Sequence, residues 1–310
     1  MSASVKPSPT RVQRRIVDAH HHFWDLGRNR HPWLCDEPPI AFRYGDYRTL
    51  RRNYLKADYL ADAAGYAVQG TVYVETEWDS ADPRGEMHYV AELVAQTGLP
   101  TVAVTHARLD APDAAPLLEW QAAFPFVRSI RHKPRAHPAP GNAAPGGMED
   151  KAWRAGFARL APLGLRFDLQ TPWWHMHEAA RLARDHPDTA IVINHAGLPA
   201  DRSEAGLTGW RTAMAQVAAC PNVCVKISGI GVPGRAWTAE ANRAVVLTLI
   251  ELFGVPRCMF ASNFPVDGLC GSFDEIFGGF EAIVADLSPD EQDALFRRNA
   301  IGHYAMGLAP

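Results

Sequence analysis

The chain has 310 residues, 47% hydrophobic and 21% charged, with a formal net charge of -3. That near-neutral balance, without a basic stripe, leaves no electrostatic footprint for nucleic acid, and no apolar run approaches the length of a membrane span. The five cysteines follow no disulfide or zinc-finger spacing and read as buried or half-buried thiols.

Residues 1–14 carry basic side chains but no apolar stretch that would make a signal peptide, so a loose tail on a cytoplasmic protein is expected, followed by one domain over 15–310. The folded region opens with an apolar strand at 17–22 that ends in His20-His21-His22. Alternate side chains of a strand share a face, so His20 and His22 project together while His21 points away. Two adjacent imidazoles at a strand end can share a metal ion or polarise one substrate oxygen. The segment 25–52 that follows is long and holds Arg28, Arg30, Trp33, Arg43, Tyr44 and Tyr47. A connection of this length in a compact fold is usually functional, and it reads as a lid or as an oligomer contact.

Short β-branched runs then recur at 71–75, 101–105, 126–131, 165–169, 190–195, 223–228 and 258–262, which with the opening strand makes eight. Between them, 84–96, 177–184, 205–218 and 239–253 carry helical patterns. Strands alternating with helices imply parallel pairing with right-handed crossovers. Eight such units in this length predict an α/β fold, a single-domain (β/α)8 TIM barrel. The Pro/Gly-rich stretch 136–147 reads as a loop after the fourth strand.

Active sites of such barrels lie at the C-terminal ends of the strands. The polar residues gathered there are His20 and His22, Glu75, His106 and Arg108, then Arg128, Arg131 and His132, then Asp168 and Gln170, His195, Lys226 and Ser228, and Asn263 with Asp267. A mixture rich in His and Arg differs from the Asn, Asp, Ser and Gly of ordinary strand ends. Glu75 is placed to orient a histidine, pair with an arginine or meet substrate. Lys226 is placed to bind a substrate anion or to form an internal ion pair with Asp168 or Glu75.

Five segments, Asp18-Ala-His-His-His-Phe-Trp24, Tyr73-Val-Glu-Thr-Glu-Trp78, Ile130-Arg-His132, Asn194-His-Ala-Gly197 and Ser262-Asn-Phe-Pro-Val-Asp267, resemble the amidohydrolase superfamily, and within it the sugar-lactone and pyrone-dicarboxylate lactonases. The resemblance implies hydrolysis of a small cyclic ester. His20, His22 and His195 would polarise its carbonyl, Arg128, Arg131 and His132 would hold its carboxylate or hydroxyl groups, and an acidic group of the eighth strand would activate water. Glu75, Asp168, Gln170 and Lys226 complete the expected substrate contacts, and the substrate is expected to be anionic or polyhydroxylated. A homo-oligomer is left open.

The chain departs from the family at the eighth strand, where Asn263 stands in place of the usual Asp. An amide cannot accept a proton at neutral pH. Three outcomes follow. Asp267 takes over as base; a divalent metal, zinc if any, held by His20, His22 and His195 activates water; or the site isomerises a lactone without activating water. A decarboxylase of the same superfamily and a non-enzymatic binding protein are the remaining alternatives.

Overall fold

The computed structural model describes residues 13–142 and 144–309. Eight parallel strands run in sequence order: β1 (Arg15–His21), β2 (Ala67–Val74), β3 (Val102–His106), β4 (Val127–Arg131), β5 (Arg166–Leu169), β6 (Ile191–Ile193), β7 (Val223–Ile227) and β8 (Cys258–Phe260). The end of β8 returns to β1 through a parallel bridge between His21 and Phe264 and a backbone bond from Asn263 to His20 at 2.8 Å. Helices flank the strands, and the architecture is the expected single-domain (β/α)8 barrel.

Each of the eight predicted strands is present, with several C-terminal ends shorter than the sequence suggests. There the polar residues leave the ladder to line the mouth. Helices Gly85–Thr97, Met176–Asp185, Glu204–Ala218 and Ala239–Phe253 match the predicted ones closely. Helix Phe273–Ile283 is an addition whose start is visible in the sequence: Ser272 and Glu275 form a reciprocal capping box. Of the expected tail, residues 1–12 lie outside the described residues. Gln13 and Arg14 are tied down, Arg14 bonding Glu281 at 2.8 Å and Gln292 at 2.9 Å.

The period-2 pattern divides the apolar residues between two cores. Val17, Ala19, Val72, Val74, Val102, Val104, Val192, Met259 and Ala261 fill the barrel, and Ile301, Tyr304 and Met306 join them from the C-terminal segment. The opposite strand faces pack against the helices. Asp18 fastens β1 to β8: its carboxylate accepts from Ser262 N at 2.8 Å, Ser262 Oγ at 2.6 Å and Tyr59 OH at 3.0 Å. This seam sets the first-strand histidines beside Asn263.

Candidate active site

The mouth of the barrel holds a cavity of about 390 Å³ whose walls include His22, Arg131, Gln170, His195 and Asn263. His20 lies against both lining histidines, its ring centroid 5.0 Å from His22 and 4.5 Å from His195. His21 turns the other way, onto Phe23 and Tyr59. The sequence distance between His22 and His195 is closed by the chain's conformation after β6, where His195, Ala196 and Leu198 adopt positive φ of 53°, 55° and 59°. Such backbone in non-glycine residues clusters at functional sites. The turn is pinned by Trp210, whose indole donates to Ala196 O at 2.7 Å.

Hydrogen bonds set the orientation of two of the three rings. His22 Nδ1 lies 2.8 Å from Val74 O, a contact that requires Nδ1–H and leaves Nε2 unprotonated in the neutral ring. His195 Nδ1 lies 3.0 Å from Ser228 Oγ. Among the described residues, neither buried ring nitrogen of His20 has a hydrogen-bond partner. Burial holds His22 down to about 3, with the Arg131 charge adding to it. Burial likewise drives His20 and His195 well below the usual imidazole value, with neighbouring cations contributing. The trio is therefore neutral at pH 7, as acceptors and polarisable donors rather than imidazolium ions.

Asn263 sits at φ 55°, a left-handed conformation that asparagine tolerates. Its Nδ2 donates to Asp267 Oδ1 at 2.6 Å. Tyr44 OH donates to that same oxygen at 3.0 Å, and Arg43 Nη2 approaches it to 3.6 Å. Asp267 is buried behind Asn263, and burial raises its carboxyl above the ordinary value. It has folded back as the spacing suggests, but the oxygen facing Asn263 is committed to these donors.

The remaining expected residues separate into two groups. Arg131, Glu75 and Gln170 reach the cavity as one network: Arg131 Nε meets Glu75 Oε1 at 2.5 Å, Nη1 meets Gln170 Oε1 at 2.9 Å and Nη2 meets Glu75 O at 2.6 Å. Burial opposes ionisation of Glu75, yet the Arg131 charge holds it below the usual carboxylate range. Four expected substrate contacts lie elsewhere. Arg128 is the second residue of β4 and bonds Ala305 O at 3.1 Å and Pro125 O, beside the C-terminal segment and off the cavity. His132 faces away from Arg131, accepting from Leu109 N at 3.1 Å beside His106. Asp168 and Lys226 pair at 2.7 Å and are fully buried. Tyr304 OH completes their unit at 2.8 Å from Asp168. Strand alternation turns these two inward but one level below the mouth, so they form the internal ion pair rather than a substrate contact.

Arg43 is the functional candidate that reading strand ends alone passes over. It belongs to the segment 25–52, lines the cavity, and donates to Gly229 O at 3.2 Å. Trp33 and Phe42 of the same segment stack at 5.7 Å and wall the cavity with Trp24 and Ile40. Arg28 and Arg30 do not reach it; they pair with Glu92 and with Asp79 and Asp36. At Gly229, φ is +59° and a Cβ would lie 2.5 Å from His195 Nδ1, so glycine is required for the ring and Arg43 to approach.

The donor set does not suit a resident divalent ion. His20, His22 and His195 gather here, but among the described residues no three His, Cys, Asp or Glu groups are placed so as to hold one ion together. The nearby carboxylates Glu75 and Asp267 are engaged by arginine, and Lys226, Arg131 and Arg43 already press positive charge on the histidines.

The amidohydrolase family model matches residues 17–305. A protein of Sinorhizobium fredii, y4mH, itself uncharacterized, is 39% identical over 93% of this chain and 98% of its own length. An L-fucono-1,5-lactonase of Burkholderia ambifaria is 27% identical over 93% of this chain and 94% of its length. The crystal structure of an amidohydrolase from Burkholderia multivorans with bound zinc superimposes with a TM-score of 0.76 at 25% identity, covering 94% of this chain and 99% of that one. The chain belongs to the amidohydrolase family.

Proposed function

We propose that the protein hydrolyses a small, neutral, hydroxylated lactone at the cavity bounded by His22, His195, Arg43 and Asn263. The observation that carries this reading is the cluster of three neutral imidazoles gathered beside one loosely paired guanidinium. A lactone carbonyl oxygen gains negative charge as water adds, and donors fixed in advance at that point lower the barrier. Arg43 supplies a charged donor, and His195 is held against it by Ser228 and Gly229. His22, whose Nε2 carries no proton, lines the same cavity and takes the proton of the attacking water, with His20 beside it. Trp24, Trp33 and Phe42 exclude water from the ring's faces.

The charges of the cavity favour a neutral ring over a carboxylated one. Arg131 is matched by Glu75, Lys133 by Glu77 and Arg43 by Asp267. A substrate carboxylate would have to displace one of these partners, whereas hydroxyl groups can bond to the exposed edges of the same pairs. The 27% identical relative named for a sugar lactone agrees with this choice.

Asn263 sustains the second reading, isomerisation of a lactone without addition of water. With its amide nitrogen bound to Asp267, it offers no proton acceptor of carboxylate strength. Purified protein offered a panel of sugar and simple lactones in oxygen-18 water separates the two. Label in the ring-opened acid supports hydrolysis; a rearranged lactone free of label sinks it and establishes isomerisation.

A further inference from the structure

A second cavity of about 380 Å³ adjoins the first, with Arg43 and Leu198 forming part of both walls. Its other walls come from Pro138 to Pro140 of the loop after β4, Trp173 and Trp174 after β5, and Ile230 after β7. We propose that this annex is a subsite for an apolar arm, aryl or alkyl, carried by the lactone ring; the inference rests on the lactone reading of the neighbouring cavity.

The walls are built rather than incidental. His175 is buried and bridges two elements: its Nε2 accepts from His137 N at 2.9 Å and its Nδ1 contacts Glu178 Oε1 at 2.8 Å. Glu178 also accepts from Gly146 N at 2.8 Å, and Trp174 Nε1 donates to His137 O at 2.9 Å. Both ends of the proline-bearing loop are thus fastened to the floor on which the tryptophans sit. Trp173 lies so close to helix Glu204–Ala218 that a Cβ at Gly209 would come within 2.7 Å of its ring. A pocket held open in this way has already met the ordering cost of binding.

The chemistry of the lining selects the occupant. Tyr44 OH is given to Asp267, Ile230 O accepts from Arg202 at 2.6 Å, Gly229 O accepts from Arg43, and the Asp201 carboxylate accepts from Ser203 N at 2.9 Å. Apart from the Arg43 guanidinium and the exposed Asp201 carboxylate, what these walls present is proline rings, indole faces and aliphatic carbon. A hydroxylated arm would lose water bonds there and find few replacements, whereas an aryl or alkyl arm gains by burial. The continuity through Arg43 places the root of that arm beside the ring carbonyl.

Ring-opening must be separated from occupancy, so the probes are five-membered lactams, which resist hydrolysis. Calorimetric titration with 5-phenyl-2-pyrrolidinone, 2-pyrrolidinone and 5-(hydroxymethyl)-2-pyrrolidinone is expected to show the phenyl compound binding at least about tenfold tighter than the other two. Ala200→Trp and Ala139→Trp, each at an exposed wall position, should remove that advantage. A hydroxymethyl compound that binds as tightly as the phenyl one overturns the proposal. So does a phenyl advantage that survives in both tryptophan variants. Turnover of plain lactones without the phenyl preference overturns the annex alone. The phenyl preference without any lactone turnover supports the annex and removes the lactone reading.

Discussion

His195 shows how one side chain is held in place by several weak constraints. A left-handed backbone turns it inward, Ser228 fixes one nitrogen, and a glycine leaves room for Arg43 beside it. Replacing it with alanine removes a polarising group without exposing a charge. His195→Ala is expected to lower kcat on the best lactone by about 10²- to 10³-fold, the range for loss of one oxyanion donor, with the thermal midpoint little changed. Retained kcat in a folded variant would exclude His195 from the reaction. Asn263 invites the opposite experiment. In Asn263→Asp a second carboxyl would lie where the amide now meets Asp267 at 2.6 Å, and two carboxylates so close cannot both ionise easily. The single variant should melt lower than wild type, and adding Asp267→Asn should restore the midpoint by scanning calorimetry. If water activation is what Asn263 limits, the double variant should also incorporate oxygen-18 faster than wild type.

At the scale of elements, the segment 25–52 joins the site to the barrel. It contributes Trp33, Phe42 and Arg43 to the cavity, and Tyr44 ties it to Asp267 behind β8. Trp33 Nε1 adds a second tie, to Thr76 O at 2.9 Å beyond β2. Tyr44→Phe keeps the packing but deletes a hydrogen bond to a buried carboxyl, a loss of about 1–3 kcal/mol. Limited proteolysis within 25–52 should accelerate in that variant, and KM should rise more than kcat falls. Unchanged cleavage would show that aromatic packing alone holds the segment down.

The whole molecule buries an unusual set of neutral histidines, and this couples stability to pH. Burial lowers His21 and His22 to about 3 and His31 and His132 to about 4. An unfolded histidine takes a proton near 6.5, which the folded protein refuses until these lower values. Their contribution is complete above pH 6.5 and is lost as pH falls toward 4 and then 3. At pH 5 the loss is about 2 kcal/mol for each, from 1.5 pH units at 1.36 kcal/mol per unit. Asp18, raised by burial to about 6, and Glu86, raised to about 7, act in the opposite sense. They are outnumbered, so the urea midpoint should be lower at pH 5 than at pH 7.5. A midpoint that rises on acidification would contradict the neutral-histidine assignment.

Strand count, order and barrel class were legible because each strand is a short local run whose side-chain alternation repeats along the chain. The pair His20 and His22 was legible for the same reason, since a period of two is a local property. His195, Asn263 and Asp267 were also marked by their places at strand ends. Sequence alone could not separate Arg131 from Arg128, or Glu75 from Asp168, because position along a strand does not tell a side chain's level within the barrel. That level depends on stagger between strands and on what plugs the far end, here Tyr304 meeting Asp168. The segment 25–52 was legible as a lid carrying arginines, but not that Arg43 rather than Arg28 or Arg30 reaches the cavity, because a long irregular segment has no period to read. By itself the sequence determined the family, the barrel and the shared face of His20 and His22; tertiary structure alone decided which charges are paired away and which guanidinium lines the cavity, because ion pairing and burial depend on residues distant in the chain.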